Sequence, residues 1–211
     1  MLRVIITDDH PVVLKGLKEI ISEGHADATI DVCSKGYELL AKISNNDYDI
    51  VLLDISLPDI NGLEVLKEIK KLKRKLPVLM LSMYPEENYA VRALKSGAQG
   101  YLTKGSASDE LLKAVQQILS GKKYISPAFA EKMMFDFESD TQKPLHENLS
   151  NRELQVLSMI GKGKALKDIA GELHLSTNTI RTFRARILEK IGAKGTSELI
   201  HYAIAHNLTE Q

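Results

Sequence analysis

Five side chains of complementary chemistry stand at the ends of apolar runs. Val4-Ile5-Ile6 leads to Asp8-Asp9, Ile50-Val51-Leu52-Leu53 ends in Asp54, Val78-Leu79-Met80-Leu81 ends in Ser82, and Gly100-Tyr101-Leu102 leads to Lys104. Continuous apolar runs of this kind read as strands buried on both faces of a parallel sheet. Laid side by side, they bring Asp8, Asp9, Asp54, Ser82 and Lys104 to the carboxyl edge, where open α/β sheets place their ligands.

Carboxylates a few ångströms apart repel and cannot all ionise cheaply without a cation. Oxygen donors at this density suit a hard divalent ion such as Mg²⁺, which keeps several of its waters. A carboxylate, a metal and a nearby lysine together suit phosphoryl transfer. The metal neutralises phosphoryl oxygens, a carboxylate oxygen attacks, and Lys104 balances the remaining charge. Asp54 is the best nucleophile because it stands alone at a central strand end, whereas the vicinal pair Asp8-Asp9 is better suited to holding metal. Each residue alone has an ordinary explanation. An Asp after a strand is usually a turn former or a cap, and a lysine is usually at the surface. The signal is their joint placement at separate strand ends.

Stepping along the chain, helical periodicity fills the gaps between these strands. Pro11 opens a helix in which Val12, Val13, Leu14, Leu17, Ile20 and Ile21 recur at helical spacing up to Gly24, and a short strand follows at Thr29–Cys33. Further helices are expected over roughly 35–44, after the loop 57–62 with Leu63, Val65, Leu66, Ile69 and Leu72, over 86–96 with Gly97 beyond it, and from Ser108 to a stop at Gly121. Five alternations with short connections predict a doubly wound parallel sheet with helices on both faces. No G-x-G-x-x-G follows the first strand and no G-x-x-x-x-G-K-[ST] occurs, which disfavours dinucleotide and P-loop chemistry.

With 211 residues, the chain is long enough for two modest domains. Net charge is zero but unevenly spread: residues 1–148 carry 19 Lys/Arg against 22 Asp/Glu, and residues 149–211 carry 9 against 6. The second part is the one suited to a polyanion. No apolar run is long enough to span a membrane and no secretion signal is evident. The single Cys33 has no internal disulfide partner and reads as a buried thiol, which fits a reducing cytoplasm.

Residues 126–147 change character. Ser126-Pro127 opens a short helix with Phe129, Met133, Met134 and Phe135, and roughly 136–147 read as a mobile linker. Ser150 and Glu153 then form a capping box, and four short helices follow with a turn at His174-Leu175-Ser176 between the second and third. That arrangement suggests a helix-turn-helix. On the third helix Ile180, Phe183, Ile187, Leu188 and Ile191 face inward, so the outer face centres on Asn178, Thr182, Ala185 and Glu189. Arg181 and Arg186 flank it, and Arg184 lies nearer the apolar stripe and must snorkel. Arginines there suit phosphates, and the central residues suit base edges. In isolation this helix reads first as an ordinary amphipathic one with solvated arginines.

The strings Thr7-Asp8-Asp9-His10-Pro11, Leu53-Asp54-Ile55-Ser56-Leu57-Pro58 and Gly100-Tyr101-Leu102-Thr103-Lys104 resemble the receiver domain of bacterial response regulators, over about residues 1–125. The resemblance implies a flavodoxin-like fold and an Asp54 that accepts a phosphoryl group from a sensor histidine kinase. It also implies Mg²⁺ held by Asp9, Asp54 and the backbone carbonyl of Ser56, with Asp8 assisting. Ser82 would bind the phosphoryl group, and Tyr101 occupies the family's aromatic switch position, turning inward as Ser82 is drawn in. Receiver dimers through the first and fifth helices are a further implication.

Within a second domain over 148–211, residues 149–208 resemble the LuxR/GerE-type helix-turn-helix of NarL/FixJ-type regulators, through Leu149-Ser150-Asn151-Arg152-Glu153-Leu154, Lys167-Asp168-Ile169-Ala170 and Leu175-Ser176-Thr177-Asn178-Thr179-Ile180-Arg181. This implies a recognition helix from Thr177 to Lys190 that meets double-stranded DNA. The expected contacts are Thr177, Asn178, Thr179, Arg181, Thr182, Arg184, Ala185, Arg186 and Lys190. The last helix becomes a homodimer contact, with dimers promoted by phosphorylation. Phe183 stands where the family often has His, and Ala185 is short, so the target sequence does not transfer.

The expectation is therefore a phosphorylation-controlled transcription factor and not an enzyme. The competing reading is a metal-dependent phosphatase with an aspartyl nucleophile. Such enzymes usually need a second acid two residues further on, where this chain has Ser56. An interaction protein regulated without phosphate is disfavoured by the complete acidic set.

Overall fold

The computed structural model describes residues 1–106, 108–138 and 144–209. It divides into two compact units, Met1–Phe135 and Asp136–Gln211. The first contains β1 (Arg3–Thr7), α1 (Pro11–Gly24), β2 (Thr29–Cys33), α2 (Gly36–Asn45), β3 (Ile50–Asp54), α3 (Gly62–Leu72), β4 (Val78–Ser82), α4 (Glu86–Lys95), β5 (Gly100–Thr103) and α5 (Ser108–Leu119). The five strands are parallel in the order β2-β1-β3-β4-β5.

Every residue of β3 and β4 is buried, which is why their sequences are apolar without alternation. Val4, Ile6, Ile50, Leu52, Leu79, Leu81 and Leu102 point to one side, against Ile21 of α1 and Leu111, Val115 and Ile118 of α5. The intervening residues, including Val51, Leu53, Met80 and Tyr101, are equally buried on the other face. Strand pairing sets Thr7 beside Leu53, Asp54 beside Leu81 and Ser82 beside Thr103. The residues that follow these positions therefore share one edge.

Gly62 fixes the loop after β3. Its N–H donates to the Ile55 carbonyl at 2.8 Å, and a Cβ there would lie 2.0 Å from the Asp54 carbonyl oxygen. No side chain fits without moving the β3 terminus. The Asn61 side chain caps α3 by accepting from the Leu63 N–H, and the Asp59 carboxylate accepts from Gly36 and Tyr37 at the start of α2. The loop carrying Ser56 is thus tied at its far end to two helices.

The helix α6 (Pro127–Glu138) differs from the expected linker. It continues three residues beyond Phe135, and residues 139–143 of the expected mobile stretch lie outside the described residues. Ser126 caps it through the Phe129 N–H, and no Pro or Gly interrupts the sequence before Pro144.

The second unit begins its regular structure with a 3₁₀ turn (Leu145–Asn148), followed by α7 (Asn151–Gly161), α8 (Leu166–Glu172), α9 (Thr177–Ile191) and α10 (Thr196–Ala205). The capping box of Ser150 and Glu153 is present at α7. His174 takes the left-handed conformation in the turn between α8 and α9 (φ 51°). Among the described residues no helix is long and apolar enough to cross a membrane.

Gly62→Ala is expected to cost more than about 3 kcal/mol in denaturant unfolding, because backbone must move to admit the methyl group. Gly16→Ala is the control, since nothing lies within 4 Å of a Cβ at that helical position. Equal shifts in the two variants would show that the β3 terminus is not held by this close approach.

Candidate functional site

The sheet edge brings Asp8, Asp54 and Lys104 into direct contact. The Lys104 Nζ lies 2.6 Å from Asp8 Oδ2 and 2.9 Å from Asp54 Oδ2. Asp8 and Asp54 are almost completely buried, at 0% and 1% exposure. Backbone bonding fixes the lysine, whose own N–H donates to the Ser82 carbonyl at 2.7 Å. Burial pushes the Asp54 carboxyl up to about 6; Lys104 opposes that rise and Asp8 adds to it. Burial would likewise push Lys104 down, but the Asp54 and Asp8 carboxylates hold it above the usual lysine value.

Asp9 is half-buried beside them, and its Oδ1 lies 2.7 Å from the Nδ1 of His10. One donor atom from each of Asp8, Asp9, His10 and Asp54 falls within 4.8 Å of the others. Buried oxygens of Asp8, Asp9 and Asp54 have no aligned hydrogen bond, although Lys104 and His10 stand at ion-pair distance. One lysine faces three carboxylates, so the donor set fits a divalent cation. The Ser56 backbone N–H bonds toward Asp54, which favours the ionised form.

Ser82 and Tyr101 are both fully buried. The Ser82 hydroxyl oxygen accepts from the Tyr84 N–H at 3.0 Å, and the Tyr101 hydroxyl donates to the Tyr84 carbonyl at 2.8 Å. The ring that the sequence reading has turning inward already stands inward, held by the loop between β4 and α4. At the start of α4, the Glu86 carboxylate accepts from both the hydroxyl and the N–H of Ser126, the cap of α6. The sequence reading missed this link because it joins residues 40 apart. It also passed over His10 as a metal-ligating type, although adjacency to Asp8-Asp9 was a visible signal.

In the second unit, α9 is capped by the Ser176 side chain and ends at Gly192 with φ 75°. Asn178, Arg181, Thr182, Ala185, Arg186 and Glu189 are exposed on it. Thr177 and Thr179 are half-buried, and the Thr179 hydroxyl meets that of Ser176 at 2.8 Å. Arg181 reaches the Asn178 side chain, and the Thr182 hydroxyl donates to the Asn178 backbone carbonyl. Arg184 is half-buried, as its position near the apolar stripe required, and donates to Thr196 Oγ1 at 2.9 Å. Lys190 is exposed as well, but its ammonium is engaged within the unit. Its Nζ lies 2.7 Å from Glu153, whose carboxyl is buried. Burial would raise that carboxyl, but Lys190 and the Ser150 donors hold it below the usual glutamate value.

An acid-lined edge on a five-stranded parallel sheet, followed in one chain by a helix-turn-helix, defines a receiver joined to a DNA-binding module. The family model described as the response regulator receiver domain matches residues 4–116, and that of bacterial regulatory proteins of the luxR family matches residues 147–203. The chain belongs to the response regulators, as a receiver with a LuxR-type DNA-binding domain. It is 32% identical to the response regulator UvrY of Escherichia coli K12 over 209 residues, covering 99% of this chain and 96% of UvrY. It is 31% identical to the response regulator GacA of Pseudomonas protegens over 211 residues, covering 100% of this chain and 99% of GacA. In fold it is similar to the RcsB response regulator of Salmonella typhimurium, with a TM-score of 0.59 at 24% identity, covering 97% of this chain and 98% of that one.

The raised carboxyl of Asp54 gives stability a defined pH dependence. From about pH 4 to about pH 6 the folded chain holds a proton that the unfolded chain has lost, so the native state weakens as pH rises. The full penalty, on the order of 2–3 kcal/mol, applies above that window. Asp54→Asn removes it. In chelator, the melting temperature of the variant relative to the parent should climb across this window and then level off. A difference that is flat or falls with pH would contradict a buried, costly Asp54 charge.

Proposed function

We propose that Asp54 accepts a phosphoryl group from a sensor histidine kinase and that the modified receiver controls DNA binding by the second unit. The observation that carries this reading is a carboxylate of 1% exposure at the end of a central strand, 2.9 Å from a buried lysine. An Asp54 oxygen attacks phosphorus, and the bond from phosphorus to the kinase histidine nitrogen breaks as the acyl phosphate forms. Asp8, Asp9, Asp54 and the Ser56 carbonyl would hold Mg²⁺, which supplies neutralisation of phosphoryl oxygens when bound. Lys104 balances charge at the phosphoryl group, and the Ser82 hydroxyl binds one of its oxygens. The exposed apolar side chains Val12 and Met83, each only a few residues along the chain from this acidic edge, give a kinase helix something to pack against.

Ser82 lies one bond network away from α6. Its hydroxyl holds Tyr84, Tyr84 holds Tyr101, and two residues further Glu86 holds Ser126. Drawing Ser82 onto a phosphoryl oxygen takes it from the Tyr84 N–H and shifts this loop. The receiver then favours homodimers, through surfaces on α1 and α5. In the second unit α9 enters the DNA major groove, with Arg181 and Arg186 on phosphates, and α10, with Ile204 exposed, forms the dimer contact. The setting is the cytoplasm.

Labelling with a small acyl phosphate should mark the parent chain and not Asp54→Asn, and should raise both solution mass and DNA affinity. Label that persists on the variant would remove Asp54 as acceptor, and label without any change in DNA affinity would remove the control mechanism. Arg181→Ala and Arg186→Ala should each reduce the slope of log affinity against log salt by about one. Lys190→Ala should instead leave the slope near the parent value and destabilise the second unit by about 1–2 kcal/mol, because a buried Glu153 loses its counter-charge. A slope change at Lys190 matching that at Arg181 would place Lys190 on the DNA.

A further inference from the structure

The residue that follows the acid pair adds a different donor to the pocket. His10 Nδ1 lies 2.7 Å from Asp9 Oδ1 and 3.1 Å from Asp8 Oδ1. Neighbouring ligands on an octahedral ion with bonds of about 2.1 Å stand about 3.0 Å apart, so this spacing is that of adjacent ligands on one small cation. The delivery of the ring is also specified. The His10 N–H donates to Asp8 Oδ1 at 2.9 Å, and Pro11 starts α1 immediately afterwards. The tight turn from Asp8 to His10 therefore carries the imidazole to the mouth of the pocket, while the side chain stays 62% exposed to an arriving ion.

Carboxylate, carbonyl and water donors suit Mg²⁺, whereas an added imidazole favours first-row transition ions. We propose that His10 supplies a nitrogen ligand, through Nδ1, to the cation held by Asp9 and Asp54, so that the pocket takes Mn²⁺, Co²⁺ or Zn²⁺ in preference to Mg²⁺. This rests on the reading that the acidic edge holds a cation. The pocket then answers to the supply of two classes of metal and not to Mg²⁺ alone. The opposing account is that the imidazole only hydrogen-bonds to the two carboxylates. In that case an arriving ion displaces it, and removing it leaves metal affinity unchanged or stronger.

The test uses the full chain and Mn²⁺ itself. Titration followed by the free-ion electron paramagnetic resonance signal gives affinity, and pulsed measurements on the bound ion report coupling to ¹⁴N. The parent should show imidazole nitrogen coupling. His10→Gln should lose that coupling and bind Mn²⁺ at least about tenfold more weakly, with Mg²⁺ affinity, read by competition, changed far less. Asp9→Asn should weaken both ions. Nitrogen coupling that survives in His10→Gln would come from another of the chain's 6 histidines and would overturn the assignment. Bound Mn²⁺ without nitrogen coupling, or a variant that binds Mn²⁺ as well as the parent does, would also overturn it while leaving the cation pocket intact. Failure of both Mn²⁺ and Mg²⁺ to bind the parent would instead remove the underlying pocket.

Discussion

One lysine against three carboxylates is the constraint on which the receiver depends. Lys104 touches Asp8 and Asp54, and no other lysine or arginine stands at ion-pair distance from either among the described residues. Acid side chains this deeply buried are kept only where something offsets their desolvation. Burial still pushes the Asp54 carboxyl up to about 6, with Lys104 opposing that rise. The pocket is thus built to be short of positive charge. A cation, a proton or a group carrying its own hydrogen-bond acceptors changes its energy, and that sensitivity is what a receiver needs.

Such sensitivity is useful only if the surroundings hold their places. Gly62 lets α3 start against the Asp54 carbonyl, and Asp59 ties the same loop to α2. Burial would raise the Asp59 carboxyl, but its backbone N–H donors hold it low, which marks it as a fixed anchor at neutral pH. On the opposite side, the loop between β4 and α4 is joined by hydrogen bonds among Ser82, Tyr84 and Tyr101 and by stacking of Tyr84 on Tyr89, and Met83 is exposed within it. With the loop after Asp54 fixed, a change at the pocket has a connected route through the loop between β4 and α4 to Glu86 and the cap of α6.

Much of this was legible in the sequence, for a physical reason. Strands buried on both faces must be apolar throughout, so β1, β3, β4 and β5 announce themselves, and polar residues at their ends stand out. The capping box at Ser150 and the inward stripe of α9 are local patterns of the same kind. What could not be read were pairings set by tertiary structure. Glu153 and Lys190 are 37 residues apart, and only the packing of α7 against α9 brings them together. Lys190 therefore looked like one more cation on a recognition helix. The buried Tyr101 ring is a similar case, because rotamer choice depends on what the neighbouring loop offers and not on sequence spacing.

The inward Tyr101 changes what phosphorylation has to accomplish. Moving a two-state equilibrium from 1:99 to 99:1 takes about 5.5 kcal/mol of differential stabilisation. A phosphoryl group brings about 1.5 to 2 negative charges and new acceptors. If the ring had to be driven from solvent into the core, part of that energy would go to ordering it. Here its hydroxyl already has a partner in the Tyr84 carbonyl, so burial leaves no unsatisfied group behind. On the proposed function, the remaining work is the exchange at Ser82, whose hydroxyl now accepts from the Tyr84 N–H and would turn to a phosphoryl oxygen. That exchange replaces a neutral hydrogen bond with a charge-assisted one, roughly twice as strong. On the proposed function, that energy is released at the loop that leads into α4, whose Glu86 accepts from Ser126 at the cap of α6.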